Sequence, residues 1–173
     1  MLSERMQSAI NDQINLELSA FYTYLSMSAF FESEGLNGFA RWMRHHAEEE
    51  MVHAMKLYDY IHARRGRATL QPLAAPPSDW PSPLPVFEDA LKHEQKVTAA
   101  INHLVDLARD ERDHATESFL QWFVDEQVEE ESIVDTVIHD LRRVEDFGPG
   151  LFLLNRQLGG QSGEIETAGQ DAT

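Results

Sequence analysis

Glu48-Glu49-Glu50-Met51-Val52-His53 is the stretch on which the fold turns. Read as helix, Glu50 and His53 stand three residues apart and neighbour each other on one face. A carboxylate and an imidazole offered from consecutive turns make a two-donor edge for a metal ion. Alone, a Glu-x-x-His also fits a solvated acidic helix with one histidine, because short motifs recur by chance. The surroundings decide between the two. Phe39, Met43, His46, Glu50, His53, Leu57 and Ile61 recur at three- and four-residue spacing, which predicts the inward stripe of a helix over residues 37–64. Arg64 and Arg65 suit its last turn, and Gly66 is expected to end it.

Upstream, residues 5–31 read as helix, with Ile10, Ile14, Phe21, Leu25 and Ser28 facing inward and Glu17 in the middle of the stripe. Ser33-Glu34-Gly35 is a turn signal, followed by Asn37-Gly38. Downstream, Pro72, Pro76, Pro77, Pro81, Pro83 and Pro85 exclude helix from a connection of roughly 20 residues, long for a structureless link. A helical bundle uses such a link to cross its full length and run the next helix parallel to the last. A linker between two separate hairpins would instead leave each with a bare apolar face. A third helix is expected over residues 86–110, with the stripe Phe87, Leu91, Glu94, Thr98, Ile101, Val105 and Ala108. After a charged break at residues 109–114, a fourth spans residues 116–144, with Leu120, Val124, Gln127, Val134, Ile138 and Leu141 inward. Gly148-Pro149-Gly150 stops it. Residues 151–158 are short and very apolar. They predict a fifth helix that needs a partner to cover it, which points to oligomerisation. The expectation is an all-α domain over residues 1–158: a four-helix bundle with one long crossover connection and a short C-terminal helix. Residues 159–173, small and polar, read as a disordered tail.

Composition narrows the function. The chain of 173 residues fits one domain with a substantial core. With no cysteine there is no disulfide frame, zinc thiolate site or thiol nucleophile. No apolar run reaches about 18 residues, so no membrane span is indicated. Met1-Leu2-Ser3-Glu4-Arg5 lacks a basic run followed by an apolar one, so no signal peptide is expected and a cytoplasmic location is the default. A formal net charge of −16 opposes nucleic-acid binding and suits cations or solubility.

Each of the four stripes is interrupted near its centre by metal-capable residues: Glu17, Glu50 with His53, Glu94, and Gln127 with Glu130. A buried carboxylate without a partner is very costly, and too few inward basic groups exist to pair these acids. Glu17 and Glu50 are 33 residues apart with their midpoint at the Ser33-Glu34-Gly35 turn, so an antiparallel hairpin sets them at one level. Glu94 and Gln127 repeat that spacing of 33 at an offset of 77, about the 109–114 break. Two copies of one hairpin, closed into a bundle, bring all four sets into a single layer. A Glu from each of two helices and a Glu-x-x-His from each of the others builds a di-iron carboxylate site; here the second motif is Gln127-x-x-Glu130. Hard oxygen donors with an imidazole and no thiolate suit iron or manganese. The expected sets are Glu17, Glu50 and His53 for one metal and Glu50, Glu94 and Glu130 for the other, with Glu50 bridging. Gln127 can hydrogen-bond dioxygen or water. Tyr24, two turns from Glu17, can give an electron or hydrogen-bond a ligand. Glu49, Glu126 and Glu129 with Glu130 can form a third cation site. Trp42, Trp122, Phe119 and Phe123 are read as core or interface, and Met6, Met27, Met51 and Met55 as packing.

Three stretches carry a resemblance: Asn15-Leu16-Glu17-Leu18, Arg44-His45-His46-Ala47-Glu48-Glu49-Glu50-Met51-Val52-His53, and Phe119-Leu120-Gln121-Trp122-Phe123-Val124-Asp125-Glu126-Gln127-Val128-Glu129-Glu130. Over residues 1–158 the chain resembles the bacterial non-haem ferritins. The resemblance implies a ferroxidase centre at Glu17, Glu50, His53, Glu94, Gln127 and Glu130. It also implies a third iron site using Glu49, Glu126 and Glu129, a redox-active Tyr24, and a hollow shell of twenty-four subunits storing ferric mineral. Fe(II) and dioxygen or peroxide are then the substrates. Bacterioferritins fit less well: the position of their haem-ligating methionine holds Val52 here, so no haem is expected. The small DNA-protecting relatives build their site between subunits, whereas this chain carries a whole set. Glu117 and Asp113 are candidates to line a pore, although a surface role suits each better. The rivals are a di-iron oxygenase or oxidase on the same bundle, which needs an organic substrate pocket or a partner subunit and for which the chain is short, and a metal-free helical scaffold.

Overall fold

The structure, a computed structural model, describes residues 1–144 and 148–168, with side chains as far as residue 160. Five helices follow in order: α1 (Glu4–Ser33), α2 (Asn37–Ala63), α3 (Pro83–Asp110), α4 (His114–Val144) and α5 (Gly148–Ala168), with no strand among the described residues. No helix among the described residues is long and apolar enough to cross a membrane.

Local chemistry sets the ends. The Ser3 hydroxyl accepts the Met6 N–H at 2.9 Å and caps α1. At its far end Gly35 takes φ +72°, and the Leu36 and Gly35 N–H groups bond back to the Phe31 and Glu32 carbonyls. The same closure ends α2, but the left-handed residue is Arg65 (φ 61°), not the expected Gly66. Gly66 answers to space instead: a Cβ there would lie 2.7 Å from Gln7 Oε1. α3 begins three residues earlier than expected, since prolines are tolerated in a first turn, where their missing N–H has no partner to lose. Asp113 caps α4, accepting from the Thr116 N–H and hydroxyl.

The proline-rich connection, residues 64–82, is pinned along α1. Asn11 donates to the Arg67 carbonyl and accepts the Thr69 N–H, Gln71 donates to Asp12, and the Ser26 hydroxyl donates to the Pro77 carbonyl. From Asn11 to Ser26 the link climbs about four turns, returning the chain to the end where α2 began. Thus α3 runs parallel to α2.

α5 differs from expectation at its C-terminal end, where it continues to Ala168. Residues 159–168 are helix, and residues 169–173 of the expected tail lie outside the described residues. Gly159 is not a stop but a point of close approach: a Cβ on it would lie 3.0 Å from Gly38 Cα. Gly38 lies in the first turn of α2, within the expected helix, and a Cβ there would lie 1.6 Å from the Asn155 carbonyl oxygen. Leu36 offers α2 no side-chain cap. Asn155 Oδ1 supplies one across the contact, accepting the Gly38 and Phe39 N–H groups at 2.8 and 3.1 Å. Leu154 and Leu158 are buried, while Phe152 and Leu153 on α5 stay 60% and 63% exposed.

The apolar interior divides in two. One cluster holds Tyr24, Phe31, Phe39, Phe87, Val134 and Leu141 with α5 residues. The other holds Ile10, Ile14, Leu57, Ile61, Ile101 and Leu120. Along every one of the first four helices the division falls at the predicted metal-capable residues. The α2 stripe is buried throughout. On α1 the stripe drifts by one position: Tyr24 is buried and Leu25 is 38% exposed, because a 3.6-residue period brings residue 24 onto the inner face.

Candidate metal centre

Glu17, Glu50, His53, Glu94, Gln127 and Glu130 are all at least 96% buried and occupy the layer between the two apolar clusters. Each is held by long helices whose apolar residues on both sides lock the register, so the level of the side chains is fixed by packing. Donor atoms of Glu17, Glu50 and His53 lie within 4.8 Å of one another, as do those of His53, Glu126 and Glu130. A third such group is His46, Glu49 and Glu130.

The hydrogen bonds are unevenly shared. Gln13 Nε2 donates to Glu17 Oε1 at 2.8 Å. Glu94 has both oxygens engaged: the Tyr24 hydroxyl donates to Oε1, and Gln127 Nε2 donates to Oε2 at 3.2 Å. Gln127 is itself steadied by Thr98, whose hydroxyl donates to Glu131. Glu17 Oε2, Glu50 Oε2 and Glu130 Oε2 are buried without any hydrogen bond. Buried polar atoms are nearly always partnered, so three orphaned carboxylate oxygens in one layer mark a place for cations. Oxygen donors plus imidazole, without sulfur, fit iron by their chemistry.

Electrostatics give the same picture. Burial raises the Glu17 carboxyl, and burial with the neighbouring Glu94 and Glu17 charges raises Glu50 well above the carboxylate range. Glu94 is pushed up to about 7, by burial first and then by Glu130, against the pull of its bonds from Tyr24 and Gln127. Burial, then the Glu94 charge, keeps the Tyr24 hydroxyl well above its ordinary value. Glu130 goes the other way. Burial raises it, but the imidazoles led by His46 outweigh that and hold it low. Burial opposes a charge on His46, and Glu130 and Glu49 overcome it, so its imidazole is raised. His46 Nδ1 lies 3.3 Å from Glu130 Oε2 and 3.2 Å from Glu49 Oε2. Both contacts lie within ion-pair distance, so contact and charge together favour a charged imidazole beside these carboxylates. Without a divalent ion the layer balances its charge with protons, which a cation pair can displace.

The expected residues are not all equally placed. Glu17, Glu50 and His53 converge as one group. Glu94 belongs to none of the groups within 4.8 Å found among the described residues, and Tyr24 and Gln127 hold its carboxylate. Glu49 and Glu126 approach Glu130 from two sides, whereas Glu129 is exposed on the wall of the adjoining cleft of about 550 Å³. Asp113 is engaged by Arg64 and Glu117 by Arg109, ion pairs at the start of α4. Sequence reasoning missed His46 and Gln13. Each stands one turn before a ligand candidate on its own helix, and His46 also falls on the inward stripe of α2.

A sequence profile described as Ferritin-like domain matches residues 7–144. The chain is 44% identical to the bacterial non-heme ferritin of Bacteroides fragilis (strain 638R) over 159 residues, 92% of this chain and 99% of that one. It is 41% identical to the bacterial non-heme ferritin of Staphylococcus aureus (strain USA300) over 166 residues, 96% of this chain and 100% of that one. Among solved structures, an open pore ferritin from Archaeoglobus fulgidus superposes with a TM-score of 0.91 at 45% identity, covering 92% of this chain and 98% of its own.

Proposed function

This chain belongs to the ferritin family, and from that premise we propose that it stores iron as a ferroxidase, oxidising Fe(II) within the helical bundle and keeping the product as ferric oxyhydroxide. The observation that carries the reading is the layer of orphaned carboxylate oxygens between two apolar clusters. One Fe(II) binds Glu17, Glu50 and His53; a second binds Glu50, Glu94 and Glu130, with Glu50 shared. Two one-electron donors held side by side can together reduce dioxygen or peroxide, and carboxylate ligands favour the ferric product. Gln127 offers its amide to the oxidant or water. Tyr24, bonded to Glu94, is a source of a further electron. Glu49, Glu126, Glu129 and Glu130 receive a third iron and pass the hydrolysed product towards the cleft. The imidazole of His46 joins that group.

The working particle is a shell of twenty-four subunits in the cytoplasm, free of haem, with the exposed Phe152 and Leu153 covered by neighbouring copies. At 19.8 kDa per chain such a shell approaches half a megadalton. Aerobic loading with Fe(II) followed by gel filtration tests the reading. Storage retains iron far in excess of the metal sites in a particle of that size. About two iron atoms per chain would indicate a simple di-iron enzyme. Anaerobic Fe(II) titration of Glu17→Ala and His53→Ala is the companion measurement, since a metal-free scaffold shows no binding for either substitution to remove.

A further inference from the structure

We propose that Gln13 is a positioning residue that restricts Glu17 to binding metal through one oxygen. The inference rests on the reading of Glu17 as a metal ligand. Gln13 lies one helical turn before Glu17 on α1 and is 2% exposed. Its amide N–H holds Glu17 Oε1 at 2.8 Å, and Glu17 Oε2 is left buried and unpartnered, in a residue whose carboxylate groups with Glu50 and His53 within 4.8 Å. The bond fixes the carboxylate plane and leaves Oε2 the one oxygen without a hydrogen bond, which favours binding through that oxygen alone. The four acids of the layer are therefore unequal. Glu94 has both oxygens engaged, Glu50 and Glu130 each keep an orphan, and among these Glu17 alone has one oxygen tied to an amide and the other bare. Gln13 also lines an outer cleft of about 420 Å³ with Asp12, Lys96 and His103. Glu17 is not among the residues lining that cleft and is itself fully buried. The consequence is chemical: the number of oxygens Glu17 supplies sets the coordination number of the first cation, and Gln13 sets the number of oxygens.

The test uses the full-length, metal-stripped protein titrated anaerobically with Co(II), reading affinity and the visible absorption of the ion. Gln13→Met keeps the volume and removes the donor. The first Co(II) should then bind about tenfold more weakly, the usual scale for losing a hydrogen-bond partner of a ligand. Its absorption should also lose intensity, as Glu17 closes onto the ion with two oxygens and coordination rises. Gln13→Leu serves if the methionine chain does not fold, and the same spectral change is expected because leucine offers Glu17 no donor. A wild-type spectrum and affinity in the substituted chain, with binding abolished in Glu17→Ala, overturns the proposal and leaves the ligand reading standing. Undiminished binding in Glu17→Ala overturns both.

Discussion

Cation binding to this layer should expel protons, and the amount should depend on pH in a way set by Glu94. Its carboxyl is pushed up to about 7, so it is about nine-tenths protonated at pH 6 and about one-tenth at pH 8. A divalent ion needs the carboxylate, and the difference of about 0.8 proton per chain is therefore lost between the two conditions. Glu17 and Glu50, also raised, add release of the same sign. Zn(II), which is redox-inert, is the probe. Calorimetric titrations of metal-stripped protein in buffers of different ionisation heat count the protons. Affinity should tighten as pH rises towards 7. The linkage has a second face: the folded protein binds a proton that the unfolded chain has released, so Glu94 alone removes about 3 kcal/mol of metal-free stability between pH 4.5 and 7. Glu94→Gln should lower the pH dependence of the proton count by the share that Glu94 carries. Equal release at pH 6 and pH 8, or a Glu94→Gln chain that matches wild type, would refute the reasoning.

Three further outcomes concern the frame. Gly38→Ala drives a methyl to 1.6 Å from the Asn155 carbonyl, so α5 must move; thermal denaturation should show a loss of about 3 kcal/mol, the upper end for overpacking. Asn155→Ala removes the cap on α2 without a clash and should cost about 1 kcal/mol in the same assay. A loss as large as that of Gly38→Ala would mean the amide does more than cap. Asp113 is held below the ordinary aspartate range: burial opposes this, but Arg64 and Thr116 outweigh it. Its contribution is present above the unfolded pKa and is lost as pH falls through the lower folded value. Asp113→Asn should therefore weaken the fold near neutrality and flatten the acid limb of a stability–pH curve, measured by chemical denaturation.

The bundle was legible because its periodicity is long and consistent. Seven positions on α2, from Phe39 to Ile61, keep one face over six turns, and the matched spacing of Glu17 to Glu50 and Glu94 to Gln127 needs only hairpin geometry to become a shared level. Legibility failed where a residue answers to another helix. Gly38 and Gly159 look like chain breakers, yet they are small because two backbones nearly touch. Gly66 marked the end of α2, but Arg65 takes the left-handed turn and Gln7 claims the space. At the site, burial of the acids followed from pattern. Which oxygen each one leaves free did not, because that depends on rotamers and on partners such as Gln13 and His46.

The split interior has a kinetic consequence. Two oily plugs, each built from all four long helices, meet at a seam of buried acids, three of which keep an oxygen without a hydrogen bond. Within the buried bundle, that seam lacks the apolar packing that holds the layers on either side. Ions can be admitted by a brief parting at mid-height while both ends stay shut. Once a cation pair is seated the same seam becomes a rivet, and amide hydrogens beside Glu17 and Glu50 should turn from the fastest-exchanging of the buried helices to the slowest.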